Sequence, residues 1–201
     1  MKNRLPRVTI VRHGETQWSR TGLHTGRTDI PLLEEGERNA SAVAPRLAGK
    51  SFGLVLASPL QRAWRTCELA GFGQLAKKEV NLMEWDYGDY EGLTTSHIRE
   101  QRPGWYLFRD GCPNGESAVD VGKRVDQVID RVRAVDDDAL LFAHGHLLRV
   151  LAARWLGMPP DRACSFVLAT AAVSVLGYEH RLQDPALLMW NDQRHLSRDV
   201  V

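Results

Sequence analysis

Two guanidiniums and a set of imidazoles stand out by where they fall in this chain: Arg12 beside His13, Arg62 shortly after Ser58-Pro59, and His144 ahead of Gly145 and His146. A guanidinium offers donors in a planar fork that matches phosphate oxygens two at a time. Two such groups near one another point to a bound phosphate. The histidines leave a second chemistry open, because H-x-H at a strand end is also a metal-ligand spacing and the chain has seven histidines. No carboxylate or cysteine motif with partner-ligand spacing accompanies the pair, so neither a metal nor a cofactor is expected.

Each of these residues follows a segment that reads as a buried strand. Val8–Val11, Leu54–Ala57 and Ala139–Ala143 are short, apolar and rich in branched side chains, and the charged or Gly-containing strings after them cannot continue such strands. Ser58 is expected to cap the next helix, with Pro59 at its first position and Arg62 in its first turn. From Glu34, Ala40, Val43, Ala44 and Leu47 recur at helical spacing, with a kink or early break at Pro45. Asn114-Gly115 reads as a turn, and Ser117 with Asp120 as a capping box that opens a helix through Val132. A further helix is expected over Leu147–Trp155, a strand over Ala172–Tyr178, and a partner strand near Leu187–Trp190. Alternating short strands and amphipathic helices predict an α/β fold, a three-layer α/β/α sandwich with a mostly parallel sheet. Ligands of such sheets bind outside the carboxyl ends of the strands, where helix N-termini favour phosphate. Arg12-His13, Arg62 and His144 all fall there.

Four strings in this order, Arg12-His13-Gly14, Ser58-Pro59-Leu60-Gln61-Arg62, Glu84-Trp85-Asp86-Tyr87-Gly88 and His144-Gly145, resemble the signatures of the histidine phosphatase superfamily, the phosphoglycerate-mutase-like family. The resemblance runs from residue 8 to about residue 178. It implies that His13 is the nucleophile, that Arg12, Arg62 and His144 with Gly145 hold the transferring phosphoryl group, and that Glu84 donates the proton. Each role is physically sensible. A neutral imidazole is a competent nucleophile at ordinary pH, fixed cations stabilise the charge of phosphoryl transfer, and an alkoxide leaving group needs a proton. Ser19 and Thr25 lie where family members contact substrate, while Arg20, His24 and Arg27 are placed to meet a second phosphate. His146 either lines the pocket or only begins a helix. Gly115-Glu116-Ser117 is expected to cap a helix, with substrate contact by Glu116 as the alternative. Trp18 and Trp105 are further pocket candidates.

Mutases of this family carry a long basic insertion after the acid motif. Here the segment from Tyr87 to Ser117 is short and holds only Arg99, Arg102 and Arg109 as permanent cations, which favours hydrolysis over a phosphoglycerate mutase-type transfer. A non-catalytic phospho-ligand binder would need neither His13 nor Glu84. The strings around Glu84, Arg109-Asp110-Gly111-Cys112 and His144 resemble the sedoheptulose-1,7-bisphosphatase type and related acid phosphatases, which implies a sugar phosphate or bisphosphate as substrate.

Composition agrees with one enzyme-sized domain over residues 1–201, with 43% hydrophobic and 25% charged residues. A net charge of +1 gives no long-range field to gather nucleic acid or an anionic membrane. The expected partner is a small phosphorylated metabolite, and a homodimer is left open. Three scattered cysteines and the lack of a signal-like or membrane-spanning apolar run suggest a reducing, cytoplasmic location.

Overall fold

The computed structural model describes residues 4–196. Six strands, β1 (Val8–Arg12), β2 (Leu54–Ala57), β3 (Lys77–Lys78), β4 (Ala139–Ala143), β5 (Val173–Tyr178) and β6 (Pro185–Asp192), form one sheet in the order β3-β2-β4-β1-β5-β6. β1, β2, β3 and β4 pair in parallel, whereas β5 is antiparallel to both β1 and β6. Eight α-helices accompany them among the described residues: α1 (Gln17–Thr21), α2 (Glu34–Ser41), α3 (Val43–Leu47), α4 (Gln61–Leu69), α5 (Thr95–Gln101), α6 (Leu107–Asp110), α7 (Ala118–Arg133) and α8 (Gly145–Trp155).

The period of two along the strands builds two cores. Ile10, Ala139 and Leu141 point to the face covered by α7 and α8, where Val121, Val125, Leu147 and Leu151 pack. Val11, Leu140 and Phe142 point the other way, onto Val43 and Leu47 of α3 and Cys67 of α4. Helices therefore cover both faces, as expected from three layers. α7 begins with the Ser117–Asp120 capping box. The break between α2 and α3 falls at Ala42, because Pro45 has no N–H to offer the Ser41 carbonyl four residues back.

The expected role of Ser58 is corrected. α4 starts at Gln61 with Leu60 as its N-cap, so Pro59 lies outside the helix. The Ser58 hydroxyl is taken instead by the His144 ring at 2.8 Å and by the Leu60 N–H at 3.3 Å. Among the described residues no helix is long and apolar enough to cross a membrane.

Candidate active site

Strand register brings the separated motifs together. Arg12 lies opposite Ala143, and Ala57 opposite Phe142, so the residues just beyond β1, β2 and β4 meet at one edge of the sheet. His13 is tied there by its N–H to Ala143 O and by its carbonyl, which accepts from Ala171 N, both at 3.0 Å. Gly14 follows because a Cβ would lie 2.3 Å from the Gly36 carbonyl oxygen. Its N–H donates to the Thr66 hydroxyl of α4.

His13 lines a pocket with Arg12, His24, Glu84, His146 and Arg149. Its Nδ1 sits 2.7 Å from the Gly14 carbonyl. A carbonyl only accepts, so the Nδ1 carries the proton and Nε2 keeps a bare lone pair. Burial, then the charges of Arg62 and Arg12, hold the His13 pKa well below 6.5. The ring therefore stays neutral at ordinary pH.

The two arginines are oriented by neutral acceptors. Arg12 Nη1 donates to Leu168 O at 2.5 Å, and its buried Nε has no partner among the described residues. Gly145 allows the guanidinium to lie against it, since a Cβ there would be 3.2 Å from Arg12 Nε and Cζ. Arg62 is fully buried and donates to the carbonyls of Thr25, Gly26 and Thr28 and to His144 Nδ1. Those four bonds leave one of its five N–H donors. Desolvation lowers the pKa of both arginines. Neither has a carboxylate within ion-pair distance among the described residues.

Arg62 and His144 stand behind His13 rather than on the pocket wall. The His144 and His13 ring centroids are 5.2 Å apart. Because His144 Nδ1 accepts from Arg62, its Nε2–H donates to Ser58. Desolvation first, then Arg62, lowers the His144 pKa well below 6.5. The two histidines of the H-x-H string are used separately, since His146 Nδ1 meets the Tyr87 hydroxyl at 2.5 Å. Among the described residues no three His, Cys, Asp or Glu side chains group as a metal-ligand set.

Glu84 is buried at the N-terminus of α8. Its carboxylate accepts from the backbone N–H groups of Trp85, His146 and Leu147 at 2.9–3.1 Å. Leu147 and His146 are among the helix donors left without intrahelical partners, so a residue from a distant loop caps this helix. Arg124 of α7 buttresses the loop by donating to the Glu84, Asn81 and Met83 carbonyls. The Gly115-Glu116-Ser117 string caps α7 through Ser117, and Glu116 itself does not line the pocket. It accepts from Asp86 N and from Arg124, and so anchors the same loop.

The Ser19–Arg27 loop meets expectation in part. Ser19, His24 and Thr25 line the pocket, although the Ser19 hydroxyl also closes a capping box with Thr16. Arg20 and Arg27 do not line it. Arg20 pairs with Glu15, and Arg27 with Asp86 at 3.3 Å, so local carboxylates already use these charges. Trp105 is buried, edge-on to His24 at 5.7 Å, and Trp18 packs over Gly92. His146 both begins α8 and lines the pocket. The pocket also contains Leu168 and Arg149, which no motif indicated, and Tyr87, which stands in the acid motif without an expected role.

An α/β sheet with a phosphate-directed pocket at its carboxyl edge defines the class of protein. The model of the histidine phosphatase superfamily (branch 1) matches residues 8–193. An acid phosphatase of Mycobacterium tuberculosis is 38% identical over 193 residues, covering 90% of this chain and 91% of its own. The sedoheptulose 1,7-bisphosphatase of Saccharomyces cerevisiae is 33% identical over 233 residues, covering 94% and 86%. A solved structure of an open reading frame product of Mycobacterium tuberculosis superposes with a TM-score of 0.88 at 35% identity, over 94% of this chain and 98% of that one. The chain belongs to the histidine phosphatase superfamily, with the phosphoglycerate-mutase-like fold, and is a phosphatase within it.

Proposed function

We propose that this enzyme hydrolyses a small phosphorylated metabolite, with phosphorylated sugars as its substrate class, by passing the phosphoryl group through His13 Nε2. The observation that carries the proposal is the bare Nε2 of a neutral His13, fixed by the Gly14 carbonyl and set among arginines with no carboxylate partner. The Nε2–P bond forms as the P–O bond of the ester breaks. Glu84 gives its proton to the departing oxygen. Water then attacks phosphorus and gives its proton back to the Glu84 carboxylate as the Nε2–P bond breaks, and phosphate leaves. Arg12 supplies fixed positive charge to the equatorial oxygens and Arg62 adds its charge from behind His13, which meets the main catalytic demand of phosphoryl transfer. His144 supports the site from behind, and Gly145, Ser19, His24 and Thr25 bound the substrate.

The short segment after Glu84 supports hydrolysis over mutase chemistry. Arg99 donates to Trp105 O and Arg109 to Asp110, and none of the three arginines of that segment lines the pocket. The substrate class rests on the relatives named for acid phosphatase and sedoheptulose-bisphosphatase activity. Three free cysteines support a reducing, cytoplasmic setting.

The test is to quench the enzyme with a ³²P-labelled sugar phosphate in the presence of a strong chelator. Acid-labile, base-stable label on the wild type and none on His13→Ala is expected. Turnover abolished by the chelator and restored by zinc would contradict the proposal.

A further inference from the structure

Arg149 shares the feature that sets Arg12 and Arg62 apart. It lies on α8 one turn after His146 and lines the same pocket as His13. Its Nε and Nη2 reach the Ala163 and Cys164 carbonyls at 3.3 Å each, long for N–H···O bonds. Its guanidinium lies 4.6 Å from the Phe108 ring centroid. Among the described residues no carboxylate forms an ion pair with it. Desolvation lowers its pKa, yet a guanidinium keeps its charge. A partly desolvated cation held by two long carbonyl contacts and an aromatic face, with no carboxylate, is stabilised most by an anion brought from outside.

The neighbouring imidazole is set to help. Tyr87 is 2% exposed, and a buried phenol needs an acceptor for its proton. His146 Nδ1 is the one acceptor the described residues give it, at 2.5 Å. The phenol therefore donates, and the neutral His146 ring carries its own proton on Nε2. Burial keeps that ring neutral and the phenol protonated. His146 Nε2 has no protein partner among the described residues. Phe108 packs against both side chains, 5.4 Å from the His146 ring and under the Arg149 guanidinium.

We propose that His146 Nε2–H and the Arg149 guanidinium form a second anion subsite, which binds a phosphate or carboxylate carried by the leaving group. The preferred substrates are then phosphomonoesters with a second negative group. The inference rests on the phosphatase function proposed above, and takes the leaving group to lie on the α8 side of His13.

Steady-state kinetics on two matched pairs test it: fructose 1,6-bisphosphate against fructose 1-phosphate, and 3-phosphoglycerate against glycerol 3-phosphate. The wild type should favour the doubly anionic member of at least one pair by about 10–100-fold in kcat/KM, mostly through KM. The pair that shows the preference tells a second phosphate from a carboxylate. Arg149→Gln, which keeps a donor for the Ala163 and Cys164 carbonyls, should cut that ratio by about 10-fold or more. His146→Phe should cut it less. A wild-type ratio below about threefold in both pairs overturns the subsite without any variant. So does an equal loss on both members in Arg149→Gln, which would make the residue only a support for the loop at Ala163. Nitrophenyl phosphate separates the two levels of failure: if the wild type hydrolyses it while showing no preference, the phosphatase function stands and the subsite falls. Failure on every ester removes both.

Discussion

The floor of the pocket and its rim hold their cations in opposite ways. On the floor and just behind it, Arg12 and Arg62 are oriented by backbone carbonyls and a neutral imidazole. At the rim, Arg20 is bound by Glu15, and Arg27 by Asp86 and Glu116. A carbonyl fixes the direction of a guanidinium and leaves its net charge in place, whereas a carboxylate cancels it. The number of basic residues near a site therefore says little about the charge a phosphate meets; the partners decide it. The floor carries a cost, visible in the pKa values of Arg12 and Arg62, lowered by desolvation. The same burial and positive field hold His13 and His144 neutral.

The comparison can be broken most severely at the nucleophile. His13→Ala should lower turnover by at least about 10³-fold while leaving the thermal midpoint close to wild type, since no other group can take the phosphoryl. Glu84→Gln should lower sugar phosphate turnover by about 10²–10⁴-fold and nitrophenyl phosphate turnover far less, because nitrophenolate leaves almost unaided. Equal losses on the two esters would make Glu84 a positioning group. Arg62→Ala should cost about 10²–10³-fold in kcat. Arg20→Ala and Arg27→Ala should change kcat by less than about threefold, and a loss at either as large as that for Arg62 would erase the distinction between floor and rim.

The smallest effect concerns pH. Five histidines, His13, His24, His144, His146 and His195, have folded pKa values below 6.5, His24 at about 4. Below pH 6.5 the unfolded chain takes up protons that the folded chain refuses, so stability is full above that pH and falls as pH drops toward 4. The thermal midpoint should be lower at pH 5 than at pH 7.5, and His24→Gln should flatten that slope.

The floor was legible in the sequence because its parts are punctuation. Arg12-His13, Ser58 to Arg62 and His144-Gly145 interrupt apolar strands, and parallel register then brings strand ends together whatever their separation in the chain. The capping box at Ser117 was legible for the same local reason. Partnerships across the fold were not. Nothing near Arg20 or Arg27 announces that Glu15 and Asp86 neutralise them, and Glu116 beside a helix start gives no sign that it serves Asp86 and Arg124 instead. Ser58 has the residue type of a helix cap, yet its hydroxyl is drawn to the His144 ring. Arg149 reads as one more polar position on an amphipathic helix. The spacing of three between His146 and Arg149 was the available signal, since it places both on one helix face above a motif already assigned to phosphate.

The atom that carries the phosphoryl group is the most direct test of the mechanism. The Gly14 carbonyl occupies His13 Nδ1, so ³¹P–¹⁵N correlation spectra of the trapped, ¹⁵N-histidine-labelled phosphoenzyme should show phosphorus on Nε2 of His13. Phosphorus on Nδ1, or on a residue other than His13, would contradict it.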